Sequence, residues 1–160
     1  MNNFDVRIRP FTPQDQSDTR QLILAGLGGH FGFIDETMNP DLNDIWQQYV
    51  VPGNVFVVAE MSGQIVGSGA LIEESKGVGR LVRMSVSPDR QRRGIGRMLV
   101  QHLVQKANEK GYRRLLVETN HDWYDAIGLY QNCGFCEYGR DEESVHMQQE
   151  LSSVLNLPGS

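Results

Sequence analysis

The amino-acid sequence predicts a single layered domain of the mixed α/β or α+β class. Strand-like segments joined as hairpins dominate residues 55–86, whereas strands and amphipathic helices alternate afterwards, as a parallel crossover requires. The chain has 160 residues, which is the size of one domain, and its hydrophobic content of 39% is ordinary for a soluble protein. We assign the domain to residues 1–151 and expect residues 152–160 to form a frayed tail.

The first segments predict a short edge strand followed by two helices. Residues 6–9 alternate in polarity as a strand does, and Thr12 caps a helix that the Gly28-Gly29 pair should end. A loop rich in glycine, histidine and phenylalanine occupies residues 28–34. Asp41 is then expected to cap a second helix, because apolar residues follow it at helical spacing.

Three strands are predicted next, and the first two form a hairpin. Residues 55–59 are almost wholly apolar and β-branched, which is typical of a central strand. Ser62-Gly63 provides the turn, and residues 64–73 return as the partner strand. Residues 79–86 form a further strand that ends before Pro88.

The second half is predicted to open with the most regular helix of the chain. Residues 94–110 carry an apolar stripe at i, i+4 and i+8 spacing, and Gly111 stands where a helix C-terminus favours glycine. The remaining predicted elements are a strand at 113–119, a helix at 123–132 and strands at 135–138 and 144–151.

Composition excludes several function classes. A net charge of −5 argues against a general nucleic-acid binder, since phosphate neutralisation needs a basic face. The N-terminus has no long apolar segment, no run approaches the roughly 18 residues of a membrane span, and two cysteines make no disulfide framework. We therefore expect a cytoplasmic protein with no membrane or nucleic-acid partner.

Basic residues are concentrated at one loop, between the strand at 79–86 and the helix at 94–110. Glycines at a helix start let an anion approach unpaired backbone N–H groups, which favours a phosphate site. The alternative is that Gly94 and Gly96 only permit a tight turn and the arginines are solvated. The loop reads Gln91-Arg92-Arg93-Gly94-Ile95-Gly96, and the clustered cations are Arg90, Arg92, Arg93 and Arg97.

This loop resembles the Q/R-x-x-G-x-G/A signature of the GNAT superfamily of N-acetyltransferases. Residues 126–135, which read AIGLYQNCGF, resemble the A-x-x-x-Y-x-x-x-G-F block of the same superfamily, and the similarity extends over nearly the whole chain. The resemblance implies a mixed, mostly antiparallel sheet of six to seven strands flanked by about four helices. It also implies acetyl-CoA as co-substrate, no metal, and direct attack of a neutral amine on the thioester.

The resemblance places the cofactor on two neighbouring segments. In the family, the strand before the signature bulges and splays from its parallel neighbour, and pantetheine lies in the notch. A backbone N–H near Ser85 or Val86 would stabilise the oxyanion. The implied cofactor-binding residues are Met84, Ser85 and Val86 for the pantetheine and thioester, and Gln91, Arg92, Arg93, Gly94, Ile95, Gly96 and Arg97 for the pyrophosphate.

Two residues are the candidates for proton transfer. Tyr130 lies at the family's general-acid position, and the alternative is a residue that only packs its helix against the sheet. Glu118 is the candidate base, and the alternative is a partner for a neighbouring arginine such as Arg83. Glu73 and Glu74 are further candidates for the base.

The acceptor site is implied at the connection after the first helix. His30, Phe31 and Phe33 lie there, and histidine titrates in the useful range. Trp123 occupies a position where the family often has an asparagine that contacts pantetheine. Either Asn120 takes over that contact, or it is missing and Trp123 lines the substrate pocket.

The function that these residues imply is acetyl transfer from acetyl-CoA to a primary amine of a small-molecule or amino-acid-like acceptor. A protein N-acetyltransferase and a non-catalytic module that binds or senses acyl-CoA are the alternatives. The resemblance is also compatible with a homodimer.

Overall fold

The computed structural model describes residues 5–31, 39–91 and 94–151, and it contains a seven-stranded mixed sheet in the order β1-β2-β3-β4-β5-β7-β6. Strands β4 and β5 run parallel, and the fold class predicted from the sequence is confirmed. The strands are β1 Arg7–Pro10, β2 Val55–Met61, β3 Gln64–Ser75, β4 Val78–Val86, β5 Arg114–Asn120, β6 Cys136–Arg140 and β7 Ser144–Glu150. The helices are α1 Gln16–Phe31, α2 Ile95–Glu109 and α3 Tyr124–Asn132.

The chain divides into two compact units. The first unit comprises Met1–Ala70 with Arg83–Leu99, and the second comprises Leu71–Val82 with Val100–Ser160. Strands β3 and β4 and helix α2 therefore contribute residues to both units.

In the first unit, Thr12 caps a 3₁₀ turn at Pro13–Asp15, and α1 follows directly from Gln16 and extends further than predicted. The Asp15 carboxylate accepts the Thr12 backbone N–H at 2.8 Å, and it is also bound by Arg9. The predicted stop at Gly28-Gly29 is wrong, because the helix continues to Phe31. Glycine costs a helix about 1 kcal/mol relative to alanine but keeps its backbone N–H, so it weakens a helix without ending it.

The predicted helix capped by Asp41 is also wrong. The chain forms a 3₁₀ turn at Pro40–Asn43 and a π-helical turn at Trp46–Val50. The Asp41 side chain is engaged by Arg83 of β4 instead of capping a helix, and Asp44 accepts the Gln47 N–H at 3.1 Å. Apolar residues of this segment are nevertheless buried, namely Leu42, Ile45 and Tyr49.

Two further features of the first unit are the turn of the β2–β3 hairpin and the close packing of α2 against β3. Ser62 and Gly63 both have positive φ, of 52° and 79°, as the favoured two-residue hairpin turn requires. Gly67 of β3 allows tight packing, because a Cβ atom there would lie 3.0 Å from Leu99 Cδ1 and 3.2 Å from the Ser85 carbonyl oxygen.

In the second unit, β5 is the central strand. Its parallel ladder pairs Val78–Leu81 with Arg114–Val117, although β4 continues to Val86 and β5 to Asn120. On its other edge, β5 pairs with β7 in antiparallel register, including Glu118 opposite His146. Gly111, with φ of 81°, follows the end of α2 as predicted.

Replacement of Gly67 by alanine should lower the free energy of unfolding by about 1–3 kcal/mol, because the added methyl overpacks the contact with Leu99. The matched control is Gly128→Ala in α3, where a Cβ atom meets nothing within 4 Å. That change should raise stability by about 0.5–1 kcal/mol through helix propensity. Urea unfolding checks both values, and a Gly67→Ala protein as stable as the wild type would contradict the packing.

Candidate active site

Strand β4 contains a residue with left-handed backbone. Arg83 has a φ of 55°, in the left-handed region that a non-glycine residue enters only at a cost of about 1–3 kcal/mol. The buried Ser68 hydroxyl donates a hydrogen bond of 2.8 Å to the Arg83 carbonyl oxygen. One left-handed residue within a strand is typical of a β-bulge, which re-aims the residues that follow it, here Met84–Val86.

The Arg83 side chain fixes this bulge from a second direction. Its guanidinium donates two hydrogen bonds to the Asp41 carboxylate, at 2.9 and 2.6 Å, and one to Asn39 at 3.1 Å. The Tyr49 hydroxyl donates to the same carboxylate at 2.6 Å. Sequence reasoning offered Arg83 as a partner for Glu118, and the structure corrects this: Arg83 binds Asp41.

Burial and hydrogen bonding both shift the pKa values of Asp41 and Tyr49 in this network. Burial alone would raise the pKa of Asp41, but the hydrogen bonds from Arg83 and Tyr49 outweigh it and hold that pKa below its ordinary value. Burial, followed by the bond to Asp41, raises the pKa of Tyr49 to about 12. Asp41 is therefore ionised and Tyr49 is neutral at physiological pH, which makes the Arg83 contact a charge-assisted one.

The loop after β4 leads directly into α2. The Ser87 N–H donates to the Val66 carbonyl at 2.8 Å, and the Gln91 amide donates to the Val86 carbonyl at 3.2 Å. These bonds attach the loop to β3 and to the end of β4. The predicted loop residues Arg92 and Arg93 lie outside the described residues.

Gly94 forms the turn from which α2 begins. Its φ is 82°, and a Cβ atom on it would meet nothing within 4 Å. The Met98 N–H bonds to the Gly94 carbonyl at 3.0 Å, so the N–H groups of the first helical turn, at residues 95–97, have no partner within the helix. Ile95 is buried and anchors this end of α2, whereas Arg97 is exposed. The turn offers an anion both backbone donors and open space.

The second unit contains the junction between β5 and α3. The Asn120 carbonyl oxygen accepts the Trp123 N–H at 3.0 Å, and the Trp123 carbonyl in turn accepts the Ile127 N–H at 3.0 Å. Both side chains are partly buried. The backbone of Trp123 therefore begins α3, and Asn120 is the last residue of β5.

Tyr130 is buried within α3. Its side chain is only 5% exposed, and its ring meets the edge of the Phe135 ring with centroids 5.7 Å apart. Burial raises the pKa of Tyr130 well above its ordinary value, and Cys133 raises it further. The hydroxyl therefore keeps its proton at neutral pH, and the packing against Phe135 holds the ring in place.

Glu118 lies on the exposed face of β5, with 47% of its side chain accessible. Its Oε1 atom is 3.6 Å from His146 Nδ1 and 3.9 Å from Arg80 Nη1. Arg80 is held in turn by Glu74, at 2.7 Å. The arginine beside Glu118 is therefore Arg80. His146 was not predicted from the sequence. The sequence places it in a predicted strand, but the strand register that sets it opposite Glu118 was not known.

The expected acceptor residues lie at the edge of what the structure describes. The backbone of His30 and Phe31 belongs to the last turn of α1, where a loop was expected. Phe33 lies outside the described residues.

A sequence model of the Acetyltransferase (GNAT) family matches residues 26–135 of the chain. The chain belongs to the GNAT acetyltransferase family. The match includes the loop at 91–96 and Tyr130, so the resemblance drawn from these motifs is confirmed.

Curated relatives agree with that assignment, and structural neighbours agree with the fold. The chain is 36% identical over 112 residues to N-acetyltransferase family 8 member 2 of Rattus norvegicus; the aligned part is 67% of this chain and spans half of the rat protein. A GNAT acetyltransferase of Staphylococcus aureus superposes with a TM-score of 0.83 at 22% identity, over 92% of this chain and 99% of the other. The PaiA N-acetyltransferase of Thermoplasma acidophilum, in complex with coenzyme A, superposes with a TM-score of 0.80 at 15% identity, over 91% and 98% of the two chains.

Two features are absent from the described part of the chain. Its helices there are too short or too polar to cross a bilayer. The same ranges hold no group of three or more histidine, cysteine or acidic side chains arranged to bind a metal ion.

Replacement of Asp41 by asparagine should lower the free energy of unfolding by about 1.5–3 kcal/mol at pH 7, as loss of a charged hydrogen-bond partner does. Because the pKa of Asp41 is lowered in the folded state, its contribution is present above the ordinary value near 4 and is lost as the pH falls below it. The deficit of the variant should therefore shrink in acid.

Denaturant unfolding between pH 7 and pH 3 checks this prediction. Glu150→Gln is the control, because the pair of Glu150 with Arg114 is exposed and should contribute little. A deficit for Asp41→Asn that stays constant down to acid pH would show that the ion pair is not its cause.

Proposed function

We propose that this chain transfers an acetyl group from acetyl-CoA to a primary amine of a small-molecule or amino-acid-like acceptor, by direct attack of the amine on the thioester. The observation that carries the proposal is the left-handed Arg83 in β4, directly before Met84–Val86, in a chain of the GNAT family. A bulge there frees strand backbone for a ligand. The structural neighbour with coenzyme A bound supports acetyl-CoA as the co-substrate.

The residues of the first unit fit the cofactor. In this proposal the backbone of Met84, Ser85 and Val86 bonds the pantetheine arm, and an N–H group near Ser85 or Val86 stabilises the oxyanion. The pyrophosphate lies on the first turn of α2, where Gly94 leaves the approach open. Its ligands are the N–H groups of Gly94, Ile95, Gly96 and Arg97, with Gln91, Arg92 and Arg93 alongside.

Asn120 is proposed to bind pantetheine, and Trp123 is proposed to bind the acceptor. Asn120, at the end of β5, offers the amide donor and acceptor that pantetheine needs. Trp123 offers only an N–H donor and a large apolar surface, which suits contact with an apolar part of the acceptor. His30, Phe31 and Phe33 are proposed as further acceptor-binding residues.

Tyr130 is proposed to stabilise the leaving sulfur. A thiol has an ordinary pKa of about 8.5, whereas burial raises the pKa of Tyr130 above 10, so the proton favours the tyrosine over the thiolate at equilibrium. The hydroxyl therefore acts mainly as a hydrogen-bond donor to the negative charge that develops on sulfur. Full proton transfer becomes favourable only if the thiolate is itself poorly solvated.

Glu118 is proposed as the base. An amine acceptor near pKa 10 is largely protonated at neutral pH and must lose a proton before it attacks. The carboxylate of Glu118 is exposed enough to take that proton directly or through water.

The experiment that tests this function measures free CoA thiol released from acetyl-CoA with four probe amines: phenylethylamine, putrescine, alanine amide and a short peptide with N-terminal alanine. Release with at least one of the first three is expected. Release with the peptide alone would indicate a protein acceptor, and binding of acetyl-CoA without any release would indicate a sensing module.

Tyr130→Phe is the matched variant in the same assay, because it keeps the buried ring and removes only the hydroxyl. We expect kcat to fall about 10²-fold while acetyl-CoA affinity is unchanged. Parallel loss of stability and activity would support a packing role alone.

Gly94→Asp should abolish binding of acetyl-CoA, because it adds bulk and negative charge where the pyrophosphate is proposed to lie. Gly63→Asp is the control, since Gly63 has nearly the same φ, of 79° against 82°, and equally open surroundings. It adds the same charge and backbone strain in the β2–β3 turn. Calorimetry with acetyl-CoA should show loss of binding for the first variant alone, and equal affinities for the two would refute the placement.

A further inference from the structure

His146 lies between two carboxylates on the exposed face of β5, β6 and β7. It is opposite Glu118 in the β5–β7 register, with its Nδ1 atom 3.6 Å from Glu118 Oε1. Its Nε2 atom is 3.1 Å from Asp141 Oδ2. We call these three residues, Glu118, His146 and Asp141, the relay cluster.

Asp141 is held rigidly at the turn between β6 and β7. Its Oδ1 atom accepts the backbone N–H groups of Glu143 and Ser144, both at 2.8 Å. The hydrogen bond from His146, followed by these backbone bonds, lowers the pKa of Asp141 to about 2. The carboxylate is therefore ionised at neutral pH and can only accept hydrogen bonds.

The charge of Asp141 determines the tautomer of His146. Because Asp141 Oδ2 can only accept, the ring nitrogen that faces it must carry the hydrogen, so Nε2 is the donor. In the neutral ring, Nδ1 then holds an unshared electron pair, and this atom faces Glu118. The separation of 3.6 Å is longer than a hydrogen bond, but such distances commonly shorten when substrate binds.

Two further groups lie beside Glu118 and His146. Arg80 lies 3.9 Å from the same Oε1 atom and is itself bound to Glu74. The Tyr138 ring, with its centroid 6.2 Å from that of His146, covers another side of the imidazole. Glu118 therefore has both a guanidinium and an imidazole nitrogen within 4 Å of its Oε1 atom.

We propose that His146, oriented by Asp141, takes from Glu118 the proton that Glu118 removes from the acceptor amine, and releases it to water. This proposal rests on the proposed function, in which Glu118 is the base. In the first step an ammonium N–H bond breaks and a Glu118 O–H bond forms. In the second, that O–H bond breaks and the His146 Nδ1–H bond forms, which leaves an imidazolium between two carboxylates. Loss of a proton to solvent restores the neutral ring.

A purely structural role for the same contacts makes different predictions. A cross-strand pair between Glu118 and His146 would stabilise the sheet when Nδ1 carries a hydrogen that faces the carboxylate. The relay, in contrast, requires the unshared pair on Nδ1. The tautomer therefore separates the two roles.

The first measurement is the tautomer of His146 by NMR of ¹⁵N-histidine-labelled protein. The chain has four histidines, and loss of one signal in His146→Ala assigns the resonance. We expect the Nε2–H tautomer in the wild type. In Asp141→Asn the amide oxygen can still accept from the backbone, while the new NH₂ group donates to Nε2, so the ring should change to the Nδ1–H tautomer. A hydrogen on Nδ1 in the wild type at neutral pH, whether in the Nδ1–H tautomer or in the imidazolium, overturns the proposal, because Nδ1 could then accept no proton from Glu118.

The second measurement is turnover with whichever of the four probe amines the wild type acetylates. His146→Ala and Asp141→Asn should each lower kcat by about 10-fold to 10²-fold, with the KM for acetyl-CoA unchanged. Added imidazole should partly restore His146→Ala and should not restore Asp141→Asn. Glu137→Gln is the control: Glu137 carries the same charge on β6 but pairs with Arg140, and its loss should not change kcat.

The outcomes distinguish the relay from the function on which it rests. If Glu118→Gln loses turnover while His146→Ala and Asp141→Asn keep it, the relay is wrong and Glu118 is still supported as the base. If Glu118→Gln keeps turnover, Glu118 is not the base, and the relay that depends on it is refuted as well. Failure of the wild type to acetylate any probe amine removes the proposed function and the relay together.

Discussion

The left-handed backbone of Arg83 is the constraint on which the candidate site depends. A residue in that conformation persists only where its surroundings fix it, and here the Ser68 hydroxyl holds its carbonyl while Asp41 holds its side chain. The same contacts explain why Asp41 caps no helix, because its carboxylate is committed to β4. In a regular strand the backbone groups of Met84–Val86 would pair with a neighbouring strand. A strand distorted at this point can present them to a ligand instead.

Chemical roles in this account follow from the environment of each group more than from its type. Tyr130 is buried and keeps its proton, which suits a hydrogen-bond donor to sulfur. Glu118 is about half exposed and lies beside a cation and an imidazole, which suits a group that must gain and lose a proton in every cycle. Gly94 has no side chain to exclude an anion, which suits the start of α2 for the pyrophosphate.

Features encoded by local chemistry could be predicted from the sequence, and features that depend on distant partners could not. The Ser62-Gly63 turn, the stripe of α2 and the motif around Tyr130 are local patterns, and each led to the correct element or family. The end of α1 was misplaced because glycine only weakens a helix. The contact between Asp41 and Arg83 could not be predicted, because 42 residues separate the two in the chain. The contact between Glu118 and His146 was missed because it depends on the register of the β5–β7 ladder, which the sequence does not reveal.

In the proposed site, the residues of β4 that follow Arg83 and the first turn of α2 together bind the cofactor. Backbone amide NMR during titration with coenzyme A tests this placement most directly, because each N–H group reports its own contact. We expect the largest shifts on Met84–Val86 and Gly94–Arg97. Shifts that spare both segments, with saturable binding elsewhere, would contradict this placement.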